Sequence, residues 1–140
     1  MAIVQVKDAE GSVLDWMVGI AQSIPNLHVV KKQRWNCVYG MVLVEEGNFI
    51  DFPYKPSADW SQGGPIKEHE GINDFRYNKI DPNEPDRWCA HKVVPRPNMG
   101  GSTNMVAIAL DGPTPLIAAM RCYVASKLGD EVDIPEELLP

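Results

Sequence analysis

No apolar run in this chain approaches the roughly 20 consecutive residues that span a bilayer. The opening Met1-Ala-Ile-Val-Gln-Val lacks the basic, apolar and small-residue pattern of a secretory leader. A cytoplasmic protein without membrane contact is the expectation. Cysteine is scarce: Cys37, Cys89 and Cys122 are odd in number and widely spaced, which argues against a disulfide framework and suits a reducing compartment. Positive charge is in deficit as well. The 13 Lys and Arg against 19 Asp and Glu leave a formal net charge of −6, so a long nucleic acid, held by many phosphate contacts from a basic face, is not an expected partner. A small nucleotide stays open, because two or three cations in a pocket neutralise one or two phosphates.

Catalytic signatures are also missing. There is no nucleophile-elbow pattern, and Cys89 and His91, two apart in an expected strand, share a face without the third group that orients a nucleophile and its base. His69, His91, Cys89, Glu68 and Glu70 fall in no discriminating metal-ligand spacing. No catalytic residue, metal or cofactor is therefore assigned.

What is present reads as one α+β domain over residues 1–140, with 44% hydrophobic and 23% charged residues, as in ordinary globular proteins. Ile3, Val4 and Val6 suggest a short strand. Val13, Trp16, Met17, Ile20, Ala21 and Ile24 recur at helical spacing, predicting a helix over about 13–23, capped by Ser12 with Asp15 three residues on. Trp16 reads as core. His28 to Val30 begins a strand, and Lys31-Lys-Gln-Arg34 is the densest basic cluster, a candidate anion-facing rim. Val38 to Val44 and Phe49 to Pro53 form a hairpin around Gly47-Asn48. Strands follow at 75–80, 88–94 and 104–110, the last one buried and central, with turns at 81–86 and 95–102. Thr114 caps a helix beginning at Pro115, with Leu116, Met120, Tyr123, Val124 and Leu128 as its apolar stripe and Gly129 as a left-handed stop. The acidic tail packs back on the domain or onto a second subunit. The architecture expected is a mixed or antiparallel sheet of about five or six strands with two helices on one face. Its sheet edges make a homo-oligomer an expectation too.

The richest stretch is Ser57-Ala-Asp-Trp-Ser-Gln-Gly-Gly-Pro-Ile-Lys-Glu-His-Glu-Gly-Ile72, which shows neither clear helical nor strand periodicity and is expected to be a loop. Trp60 offers a flat face for a base or sugar. Gln62 carries both a donor and an acceptor, and the N–H groups of Gly63 and Gly64 suit an oxyanion. Asp59, Lys67, Trp88 and Arg121 complete the candidate ligand-binding set. The other reading has Trp60 filling the core while Gly63-Gly64-Pro65 only turns the chain.

This stretch, with Gly112-Pro-Thr-Pro-Leu-Ile-Ala-Ala-Met-Arg-Cys-Tyr-Val-Ala-Ser-Lys-Leu-Gly-Asp-Glu-Val132, Val6-Lys7 and Leu14-Asp15-Trp16, resembles the NinX-like family of small phage and prophage proteins. The Pro95 to Ser102 loop looks like an insertion in that pattern. The resemblance implies a phage accessory protein acting inside a bacterial host cell, and it supplies no reaction and no catalytic residue. By analogy with small phage counter-defence factors, the leading expectation is a non-enzymatic sponge for a small nucleotide-like signal. A protein-interaction module that inhibits a host protein is the second reading. A nucleotide-processing enzyme acting through Asp59, Glu68 or His69 is the third.

Overall fold

The computed structural model describes residues 1–31, 36–45, 48–95 and 105–140, with the backbone alone over 42–45 and 48–49. Among these are eight strands and three α-helices, and the helices separate the strands along the chain into groups of one, three, three and one. The strands are β1 (Ala2–Gln5), β2 (His28–Lys31), β3 (Asn36–Glu45), β4 (Asn48–Pro53), β5 (Asn73–Arg76), β6 (Trp88–Pro95), β7 (Met105–Gly112) and β8 (Glu131–Ile134). The helices are α1 (Gly11–Ala21), α2 (Trp60–His69) and α3 (Pro115–Leu128), with single 3₁₀ turns at Val6–Asp8 and Glu136–Leu138.

The α+β expectation holds, and every strand pair is antiparallel. The strands divide into three small sheets, β1-β8, β2-β3-β4 and β5-β6-β7, rather than one sheet of five or six. Helix α3 lies at the centre and explains the division. Leu116, Met120, Tyr123 and Val124 are buried as its stripe predicts, while Leu128 at the last turn stays exposed. Ala118, Ala119 and Cys122 are buried as well, so the helix is covered nearly all round. It packs on β5-β6-β7, on α1 and on α2, and no single sheet could surround it that way. Within β5-β6-β7 the centre is β6, and β7, expected to be central, is an edge. The 75–80 strand ends at Arg76.

Helix α1 begins at Gly11, two residues before the predicted start, with Glu10 at its N-cap and no side-chain cap bond. Ser12 is therefore not the cap. Asp15 turns inward, and its Oδ1 accepts the Ser57 N–H at 2.8 Å. Trp16 packs against the core as expected, and its buried indole Nε1–H finds no partner among the described residues. The two strands of the expected hairpin pair, with Tyr39 opposite Pro53 and Leu43 opposite Phe49, while Gly47 of its expected turn lies outside the described residues and Asn48 begins β4. The tail returns as β8 against β1, so it packs on its own domain. Gly129 ends α3 at φ 91° and ψ −166°, positive in φ but outside the left-handed helical basin.

The largest correction concerns Ser57 to Ile72, expected to be a loop, which carries helix α2 over Trp60–His69. Gly63, Gly64 and Pro65 are poor helix formers, so local propensity hides it. Three contacts impose it. Asp59 caps the start by accepting the Ser61 N–H at 2.9 Å. Gly63 is packed so closely on the preceding turn that a Cβ there would stand 2.2 Å from the Pro56 carbonyl oxygen. At the far end Gly71 takes φ 64°, its N–H donates to the Glu68 carbonyl and the Ile72 N–H to that of Lys67, which closes a Schellman motif with Ile72 buried behind it.

Candidate functional site

Thr114 Oγ1 accepts the Ile117 N–H at 3.1 Å and Pro115 occupies the first helical position, so α3 is anchored where it leaves β7. Nearly two turns in, Arg121 is swept under the end of that strand. Its Nε donates to the Ala9 carbonyl at 2.7 Å and its Nη1 to the Asp111 carbonyl at 2.7 Å. Only 8% of the residue is exposed, and burial holds its pKa below the usual arginine value, with Glu10, Asp8 and Asp111 acting the other way. None of the ion pairs among the described residues includes it. A guanidinium has five N–H donors, so this one keeps donors to spare, and buried charges are normally paired.

The space beside it is a cleft of about 720 Å³ lined by Arg121, Lys7, Arg87, Asp111, Gly112 and Asp130, among others. It lies where the β1-β8 ribbon passes the end of β7, with the Val6 N–H donating to the Asp130 carbonyl at 2.8 Å. One wall is pre-ordered. Tyr77 Oη donates to Asp111 Oδ1 at 2.9 Å, and Arg87 lies over the Tyr77 ring with its guanidinium carbon 4.1 Å from the centroid. The Asp111 hydrogen bond pushes the Tyr77 pKa up to about 12. Arg87 Nε is 4.0 Å from Asp111 Oδ2. Chemically this is a hollow with three cations on its walls and two carboxylates beside them. Its volume is in the range of small-ligand sites.

The eight residues nominated from sequence do not converge there. Arg121 does line the cleft, but the α2 residues are engaged elsewhere. Gln62 Oε1 accepts the Lys55 N–H at 2.7 Å and its Nε2 donates to the Pro53 carbonyl at 2.9 Å, so both ends of its amide tie α2 to the end of β4. The Gly63 N–H donates to the Asp59 carbonyl at 2.9 Å, and Gly64 sits in the next helical position, so no outward backbone nest exists. Asp59 accepts from Ser61 N and Oγ, which holds its carboxyl below the usual range. Lys67 pairs with Asp74 at 3.1 Å. Trp60 stands 54% exposed at the start of α2, which overturns the core-filling alternative. Trp88 begins β6 and packs against the core. Lys31 is exposed at the end of β2, while residues 32–35 and the Pro95 to Ser102 excursion beyond Pro95 lie outside the described residues.

Of the catalytic and metal candidates, Glu70 Oε2 binds Lys92 Nζ at 2.5 Å and its Oε1 stands 3.7 Å from Lys127 Nζ. The Lys92 hydrogen bond is the main cause of its lowered pKa. It is a structural clamp joining α2, β6 and α3. Among the described residues no three His, Cys, Asp or Glu side chains converge on a metal position. Sequence reasoning missed Lys7, Tyr77, Arg87 and Asp111. Arg87 follows Asp81-Pro-Asn-Glu-Pro-Asp86, which reads as a surface turn, and its alignment with Tyr77 depends on the chain folding back. Asp15 was missed too. Burial raises its pKa to about 6, and it lines a second hollow of about 500 Å³ with Cys37, Tyr39 and Tyr54.

A family model described as Bacteriophage P22, NinX matches residues 5–127. The chain belongs to the NinX family. The match runs through residues 29–53 and 74–110, beyond the three blocks that carry the resemblance, and it includes every wall of the Arg121 cleft except Asp130. Membership of the NinX family makes this a phage accessory protein. No curated protein matches the chain, and among the described residues no helix is long and apolar enough to cross a membrane.

Proposed function

We propose that this NinX-family protein is a non-enzymatic binder of a small nucleotide-like signal, acting as a sponge in counter-defence within the cytoplasm of the infected host cell. The supporting observation is Arg121, a buried guanidinium with free donors and no carboxylate partner among the described residues, opening into a cleft that also holds Lys7 and Arg87. An anion there gains charge-assisted hydrogen bonds in a partly desolvated setting. The neighbouring carboxylates of Asp111 and Asp130 suit the hydroxyls of a ribose. The purified protein, incubated with a nucleotide pool, stripped of unbound material and denatured, should release one nucleotide intact and in stoichiometric amount by mass spectrometry. Lys7→Ala, at an exposed position, and Arg121→Lys should both reduce the yield. A converted product would make the protein an enzyme. Recovery of nothing would sink the sponge reading.

A second reading, a module that inhibits a host protein, is favoured by the outer face of β5-β6-β7, where Phe75, Val93 and Met105 all stand exposed. Apolar side chains grouped on one sheet face mark interaction surfaces. Substituting the three by Ser and losing a stoichiometric partner from host lysate would support it. The same face is one on which a homo-oligomer could form.

A further inference from the structure

Arg87 is the cation of the cleft that lies over an aromatic ring. Its guanidinium lies 4.1 Å above the Tyr77 ring centroid, and Tyr77 is itself fixed by its hydroxyl bond to Asp111, by its N–H bond to the Arg87 carbonyl at 2.9 Å and by an edge-on contact with Phe75 at 5.2 Å. The side chain nevertheless remains 62% exposed. Its ion pair with Asp111 stands at 4.0 Å and occupies the guanidinium edge, so the face turned away from Tyr77 can accept another flat group. Guanidinium planes stack on nucleobases, and a plane held in place beforehand loses little freedom when it does so. Arg87 also lines both the Arg121 cleft and the adjoining hollow of about 470 Å³ beneath the 77–87 excursion, where Tyr77, Lys79 and Asp86 stand.

Resting on the anion-binding reading above, we infer that the cleft has two subsites and takes a nucleoside phosphate: its phosphate on Arg121 and Lys7, and its base on the open face of Arg87, continuing the Tyr77–Arg87 stack. The Asp111 carboxylate accepts from Tyr77 and its carbonyl from Arg121.

Calorimetric titration of the four nucleoside 5′-monophosphates and of ribose 5-phosphate separates the subsites. At least one nucleotide should bind roughly tenfold or more tightly than ribose 5-phosphate, the order of effect expected from stacking one base. Arg87→Lys, which keeps the charge and loses the plane, should erase that preference while retaining ribose 5-phosphate affinity. Tyr77→Leu should reduce the preference by removing the layer beneath. Equal wild-type affinity for sugar phosphate and nucleotides would overturn the stacking subsite and leave the anion reading standing. The stacking subsite is likewise overturned if Arg87→Lys leaves the preference intact, or if Arg87→Ala weakens all ligands equally. If neither ribose 5-phosphate nor any nucleotide binds, both readings fall.

Discussion

The carboxylate of Asp15 in α1 accepts the backbone N–H of Ser57 at 2.8 Å, 42 residues away in sequence, from a position that is only 5% exposed. This bond holds the turn that leads into α2 against α1. Burial outweighs the Ser57 hydrogen bonds and the Lys55 charge, raising the Asp15 pKa from 3.8 to about 6. The folded state therefore binds the proton more tightly than the unfolded chain. The stability due to Asp15 is fully present below pH 3.8 and is lost as pH rises through about 6, a change of roughly 3 kcal/mol. Asp15→Asn keeps an acceptor for Ser57 and cannot titrate. The difference in unfolding free energy between wild type and Asp15→Asn should shift in the variant's favour between about pH 4 and about pH 7. A pH-independent difference would show that the Asp15 pKa is not raised in the folded protein.

Arg121→Met removes both a buried charge and the donors to the Ala9 and Asp111 carbonyls. Leaving these acceptors unpaired should cost about 1–3 kcal/mol, measured by urea unfolding. Added pyrophosphate should raise the melting temperature of the wild type and leave that of Arg121→Met unchanged. An equal rise in both would place the anion elsewhere.

The adjacent glycines of α2 should respond in opposite directions. A Cβ at Gly63 meets the Pro56 carbonyl oxygen at 2.2 Å and Leu116 at 2.7 Å, so Gly63→Ala should destabilise by about 1–3 kcal/mol through overpacking. At Gly64 the nearest atom is Trp60 Cε3 at 3.7 Å, an ordinary contact. Gly64→Ala should stabilise by about 0.5–1 kcal/mol through helix propensity. Equal effects in thermal denaturation would contradict this packing.

Trp60→Ala should leave stability within about 0.5 kcal/mol of wild type, as expected for an exposed side chain. Nucleotide binding at the Arg121 cleft should be unaffected. If binding were lost with the fold intact, the ligand would sit on α2, and Trp60 would be the stacking platform that its sequence context suggests.

Much of the fold was legible wherever a local pattern has one physical solution. Thr114-Pro115 and the stripe from Leu116 to Val124 could only be a capped, buried helix, and the apolar run ending near Val44 followed by Phe49 to Pro53 could only be a hairpin. Arg121 was named among the candidate ligand-binding residues, as a cation for a site on the 57–72 stretch. By contrast, α2 was illegible, because its glycines and proline oppose helix formation locally and are tolerated only against Pro56 and Leu116. Asp15 looked like half of a capping box because its actual partner, Ser57, lies far along the chain.

By itself the sequence determined the class of the molecule: an acidic α+β protein of the NinX family whose last helix is capped and carries an apolar stripe, since periodicity, caps and family pattern are carried by neighbouring residues. Only the tertiary structure decided which cations face a common hollow. Lys7, Arg87 and Arg121 are brought together by a 3₁₀ turn, a returning loop and a buried helix, and a charge acquires its chemistry from the carbonyls, rings and carboxylates that folding places around it.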